Sequence, residues 1–170
     1  GEWKEKYTKY FARKFVRRLS AEELHDSIAL ATDRPGKFTF GSRKVGMSMQ
    51  LSGPAGGRDV RSFMRTFGQS DRNTPPSIKA GSLLHPLALM QSPVVTDRVL
   101  ATGDSRVKNL LDAYSDDTRV VEEMFLGTVS RPPSAKEEEV ALAALASDRV
   151  QGAQNLQWAL INSVEFFFNY

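Results

Sequence analysis

The chain has 170 residues, 41% of them hydrophobic and 25% charged, with a formal net charge of +3. That length suits one domain, and the composition is that of a globule rather than a disordered tail. No run approaches the roughly 18 consecutive apolar residues that a membrane span needs, and the lack of cysteine excludes disulfides, thiolate metal sites, cysteine nucleophiles and covalent haem attachment within these residues.

The charge is unevenly spread. Residues 1–79 hold 16 Lys/Arg against 8 Asp/Glu, and residues 80–170 hold 7 against 12. Such asymmetry fits an anionic partner for the basic half, or two halves that neutralise each other.

Residues 1–19 (GEWKEKYTKYFARKFVRRL) are basic and aromatic, with Tyr7, Tyr10, Phe11 and Phe15 near helical spacing; they read as an arm or a helix. Gly1 opens the chain with no initiator methionine and no signal-peptide pattern, so a piece of a longer polypeptide is expected. Ser20-Ala21-Glu22-Glu23 is a capping box, and Leu19 and Leu24 are placed for a hydrophobic staple. The helix it launches, about Ala21–Ala31, should stop near Arg34-Pro35-Gly36. Between Phe38 and Asp59 the glycines at 41, 46, 53, 56 and 57 predict irregular backbone, with short strands at Lys37–Phe40 and Val45–Leu51 as a small β-hairpin. Val60–Phe67 should form a short turn of helix and Gly68–Ala80 a polar loop.

From Gly81 the pattern is helical. Leu83–Gln91 comes first, then Val94–Ala101 opened by Pro93, then Arg106–Tyr114 and Asp117–Thr128. Ser134 with Glu137 is a second capping box, launching Ala135–Ser147. The last helix, Gly152–Phe168, carries Ala153, Leu156, Leu160, Val164 and Phe167 on one stripe. The expected fold is mostly α: one domain over 1–170, with a C-terminal bundle of about five helices (81–170) behind a loop-rich half (20–80).

Few residues suggest chemistry. His25 and His85 are the only histidines. His25 and Asp26 are neighbours on a helix, about 100° apart, and make a poor pair for one ion. HExxH is absent, Gly53–Arg58 lacks the Lys-Ser/Thr of a P-loop, and no GxSxG occurs. Glu137-Glu138-Glu139 sits in a first helical turn, where negative charge complements the dipole. The densest group of polar side chains is RTFGQSDRNT, residues 65–74. Arg65, Asp71 and Arg72 are the candidate binding residues, with His85 as an outlying member; guanidinium groups beside a carboxylate suit either a ligand or a buried salt-bridge knot. No catalytic set, metal site or cofactor is expected in this chain. The carboxylates to inspect for glycoside hydrolysis are Asp71 with Asp59 or Glu23.

Five stretches, FVRRLSAEELHDSI, FGQSDRNT, LLHPLALMQSPVVTDRVL, VVEEMFLGTVSRPPSAKEEEV and LQWALINSVEFFFNY, together resemble a known family. In that order they are similar to the C-terminal domain of unknown function of large exported proteins that carry a planctomycete cytochrome c domain. The resemblance runs from Phe15 to Tyr170. It implies export to the periplasm or beyond, preceding domains of the same polypeptide as partners, and a link to polysaccharide. Two positions depart from the family: Thr74-Pro75-Pro76-Ser77 stands where cysteines are frequent, and Gln91 stands where asparagine is usual before Ser-Pro. A redox or metal role for that loop is therefore not expected, and no catalytic residues carry over. The expected function is a non-catalytic interaction or scaffolding module of a secreted multidomain protein. The alternatives are a component of a polysaccharide-acting enzyme, and binding of an anionic ligand or nucleic acid through the basic half. Nucleic acid is the less favoured partner, because no reader motif is present.

Overall fold

The computed structural model describes residues 4, 17–51, 53, 55–69 and 84–169. Among these the chain is mostly α-helical, with two small antiparallel ladders. The Ser20 hydroxyl accepts from the Glu23 amide at 3.3 Å while the Ser20 amide donates to the Glu23 carboxylate at 2.8 Å. This reciprocal cap starts α1 (Ala21–Ala31), and Leu19 packs against the core that holds Leu24.

The hairpin is β2 (Phe38–Phe40) with β3 (Arg43–Val45), in register Phe38 to Val45, turning at Gly41 with φ +60°. The expected strand over Val45–Leu51 does not continue beyond Val45. Residues Ser48–Gln50 form a 3-10 turn instead, because the buried Asp26 carboxylate captures the Ser48 and Met49 amides. A side-chain acceptor from α1 thus replaces a ladder partner.

Next come α2 (Arg58–Thr66), α3 (Leu84–Gln91), the one-turn α4 (Pro93–Thr96), α5 (Arg106–Ala113), α6 (Asp117–Val129), α7 (Ala135–Ser147), α8 (Arg149–Ile161), the one-turn α9 (Val164–Phe167) and β4 (Phe168–Asn169). Three elements differ from the sequence expectation. The helix expected over Val94–Ala101 is the single turn α4. The helix expected from Gly152 starts at Arg149, where the Asp148 side chain accepts from the Gln151 amide. That helix stops at Ile161, and Ser163 caps a fresh turn, α9. The break rotates the stripe: Val164 is 66% exposed and Phe166 is buried.

Two apolar clusters meet at α8. The first joins α1, α2 and α4 through Leu24, Ile28, Phe63, Met64 and Val95, with Ile161 from the end of α8. The second joins α5, α6 and α7 through Val107, Val121, Met124, Ala141 and Leu145, with Ala153 and Leu160 from α8. Successive residues of α8, Leu160 and Ile161, therefore face different clusters. Gly152 lets α7 and α8 approach closely, since a Cβ there would lie 2.5 Å from the Ala144 carbonyl oxygen. Finally β1 (Arg17–Arg18) pairs antiparallel with β4, Arg17 opposite Asn169, and the Leu19 amide donates to the Phe167 carbonyl at 3.2 Å.

Candidate functional site

Of the four sequence candidates, Asp71 and Arg72 lie outside the described residues. Arg65 is exposed in the last turn of α2. His85 is buried in the first turn of α3, and its contacts are to Arg18 and Thr66 rather than to Arg65. Arg18 Nη1 donates to His85 Nδ1 at 2.7 Å, and His85 Nε2 donates to the Thr66 carbonyl at 3.1 Å. A guanidinium only donates and a carbonyl only accepts, so the imidazole carries its proton on Nε2. The ring also stacks on Phe67, with centroids 5.2 Å apart. Burial, then the adjacent Arg18 charge, push the His85 pKa below its ordinary value, against a smaller opposing pull from Thr66. A neutral imidazole here clasps β1, α2 and α3 together.

Glu23, a candidate acid, is bound by Arg17 and by Ser20. The Arg17 hydrogen bond is the main reason that its carboxyl is held down to about 2. Asp59 stands exposed in the first turn of α2.

Reasoning from sequence missed a second arrangement. The Asp26 carboxylate accepts from the Ser48 amide at 2.7 Å, the Ser48 hydroxyl at 2.8 Å and the Met49 amide at 2.9 Å. His25 Nδ1 donates to it at 3.1 Å. Burial opposes the Asp26 charge, yet the hydrogen bonds from His25, Met49 and Ser48 outweigh it and lower the pKa. The two neighbours do meet, as partners of each other rather than as joint ligands.

On its far side, His25 Nε2 accepts from Arg98 Nη2 at 3.4 Å. The order is carboxylate, imidazole, guanidinium. Arg98 also donates from Nε to the Arg34 carbonyl at 3.4 Å and from Nη1 to the Val94 carbonyl at 3.0 Å. Burial, and then the nearby Arg34 charge, lower the Arg98 pKa, with Asp97 opposing. Arg98 faces a cavity of about 340 Å³ whose wall includes His25, Arg34, Lys37, Phe38 and Gly57. No local pattern in the sequence flags this group, because Arg98 lies far along the chain from His25 and is placed by tertiary packing alone.

Among the described residues the halves of the chain hardly cancel by ion pairing. Among the described residues one ion pair between carboxylate and cation crosses between them, Arg106 with Asp33 at 2.8 Å. The acidic half pairs internally: Arg149 with Asp117, Arg119 with Glu122 and Glu123, and Arg131 with Glu137 and Glu165. Arg34 instead donates to the Asp97 and Thr102 carbonyls. Among the described residues no three His, Asp or Glu side chains gather where they could hold a metal ion, and no described helix is long and apolar enough to cross a membrane. Compared with family models, with curated proteins and with solved structures, the chain matches none.

Proposed function

We propose that the chain is a non-catalytic interaction or scaffolding module of a secreted multidomain protein, with polysaccharide as the material it helps to hold. The observation that carries this is the use made of its polar side chains. Asp26 binds the Ser48 and Met49 amides, His85 the Thr66 carbonyl, Arg34 the Asp97 and Thr102 carbonyls, and Arg149 the Leu111 and Tyr114 carbonyls. Groups tied to main chain in this way position backbone; a general acid or base must instead reach a substrate proton.

Apolar side chains on the surface add support. Leu30 and Met47 border a shallow groove, and the adjoining Met49 is 62% exposed. Clustered exposed apolar groups suit an interaction face. Export, the multidomain parent and the link to polysaccharide come from the family resemblance.

The test is affinity electrophoresis of the purified protein in gels containing soluble polysaccharides, run beside a reducing-end assay on the same polymers. Retardation without new reducing ends is the expected result. Release of reducing ends, lost in Glu23→Ala or Asp59→Ala, would establish the enzyme alternative. Failure to be retarded by any polymer would remove polysaccharide from the proposal.

A further inference from the structure

The cavity beside Arg98 combines three features that point the same way. Its cationic wall comes from Arg98, Arg34 and Lys37. Arg34 donates from Nη1 to the Asp97 carbonyl and from Nη2 to the Thr102 carbonyl and hydroxyl, so its Nε–H and one N–H of Nη1 have no acceptor among the described residues. Arg98 is likewise only partly engaged. Its Nε, one N–H of Nη1 and one of Nη2 go to Arg34, Val94 and His25, while the second N–H on each terminal nitrogen has no acceptor among the described residues. Asp97 acts on Arg98 electrostatically, opposing the effects of burial and of Arg34.

The second feature is the start of α2. Gly57 is its N-cap and supplies no side-chain acceptor, so the first-turn amides of Arg58, Asp59 and Val60 keep no acceptor among the described residues. Gly57 and Val60 line the same cavity as Arg98. Asp59 is the acidic group of this turn, and it lines a separate depression beside Leu87. Helix N-termini attract anions through these amides and the helix dipole.

Third, the relay behind Arg98 holds its fork in place. Asp26, itself fixed by the Ser48 and Met49 amides, binds His25 Nδ1, and His25 Nε2 accepts from Arg98. The Asp26 counter-charge thus reaches the guanidinium only through His25, and Asp26 is not among the residues that line the cavity. An arginine held this way keeps charge and N–H groups for something else.

We infer that this cavity is an oxyanion-binding site, in which a carboxylate, sulfate or phosphate group of a small ligand sits between the Arg98 guanidinium, the Lys37 ammonium and the N-terminal amides of α2. Phe38 and Val60 give the ligand body an apolar wall. The site stands whether or not the chain serves as a scaffold.

The test titrates sodium phosphate, sulfate and acetate into 15N-labelled protein, with sodium chloride at matched ionic strength as reference. Saturable amide shifts at Arg58, Asp59 and Val60 and at the Arg98 side chain are expected with at least one oxyanion and not with chloride. The anion that saturates first separates a tetrahedral from a carboxylate ligand. Lys37→Ala should weaken binding several-fold and Arg98→Gln at least tenfold.

Gly57→Asp keeps the test decisive if Arg98→Gln fails to fold. Gly57 has φ −66°, and a Cβ there meets no described atom within 4 Å, so the aspartate fits and places its own carboxylate on the first-turn amides. It should abolish the titration while keeping the wild-type melting temperature or raising it. Shifts that rise linearly without saturating, or a titration unchanged in Gly57→Asp and Lys37→Ala, would overturn the site.

Discussion

Replacing Gly152 by alanine should destabilise the protein, although alanine is the better helix former. The added Cβ would lie 2.5 Å from the Ala144 carbonyl oxygen, 2.6 Å from its carbon and 2.8 Å from the Leu145 nitrogen. All three are backbone atoms of α7, and none can rotate away. Restoring an ordinary contact of 3.4 Å means parting α7 and α8 by about 0.9 Å at this point. Ala141, Leu145 and Ala153 pack in the same cluster and would lose contact as the helices separate. Overpacking costs about 1–3 kcal/mol, and a rigid obstacle places this site at the top of that range. The gain in helix propensity returns about 1 kcal/mol, leaving a net loss of about 2 kcal/mol. For a chain of this size that lowers Tm by roughly 4–8 °C. Gly127→Ala is the control. The three atoms nearest its Cβ belong to the Arg106 guanidinium, the movable end of a long side chain, so a net change within about 1 kcal/mol is expected. Thermal melts followed by circular dichroism, with urea unfolding at fixed temperature, measure both. A Gly152→Ala protein as stable as wild type would show that α7 and α8 are not held at this separation.

Asp26→Asn should cost about 3 kcal/mol, because an amide nitrogen then faces donors that the carboxylate had accepted from. Trypsin should cut sooner after Arg43 or Lys44, and an unchanged cleavage rate would mean that Asp26 does not anchor the hairpin. A pH effect follows from Glu137, whose carboxyl is held down to about 2, chiefly by Arg131 and then by Ser134. A depressed carboxyl contributes stability that is complete above its unfolded value of 4.5 and is lost as pH falls towards about 2. Arg131→Met should flatten the pH dependence of the urea midpoint across that window, and an unaltered slope would remove the pair from the explanation.

The helices were legible wherever local chemistry sets them. Both capping boxes, at Ser20 and Ser134, start helices where the sequence places them, and the expected helices Arg106–Tyr114 and Asp117–Thr128 form within a residue of those bounds, burying Val107, Val120, Val121, Met124 and Phe125. The misreadings have tertiary or competing local causes. The alternation Val45, Met47, Met49, Leu51 mimics a strand, but the carboxylate that captures its amides lies on α1, far back in the chain. The apolar stripe from Gly152 to Phe168 hides Ser163, which is a cap rather than a passenger. At the candidate site, sequence reasoning weighed His25-Asp26 as metal ligands and dismissed them. A relay ending at Arg98 depends on the segment just after α4 returning to His25 on α1, which no periodicity encodes.

The ladder between β1 and β4 also bears on how the protein answers force. Arg17 faces Asn169 in an antiparallel pair, so the chain entering at Arg17 and the chain leaving at Asn169 depart from the same end of the ladder. Tension applied through those two segments would open the hydrogen bonds one after another, like a zipper, rather than load them together in shear. The Leu19–Phe167 bond would part after the ladder, and the next obstacle would be the Ser20 cap and the α1 core behind it. A tethered copy pulled from both sides should therefore yield first at this seam, at low force, before the helices around α8 give way.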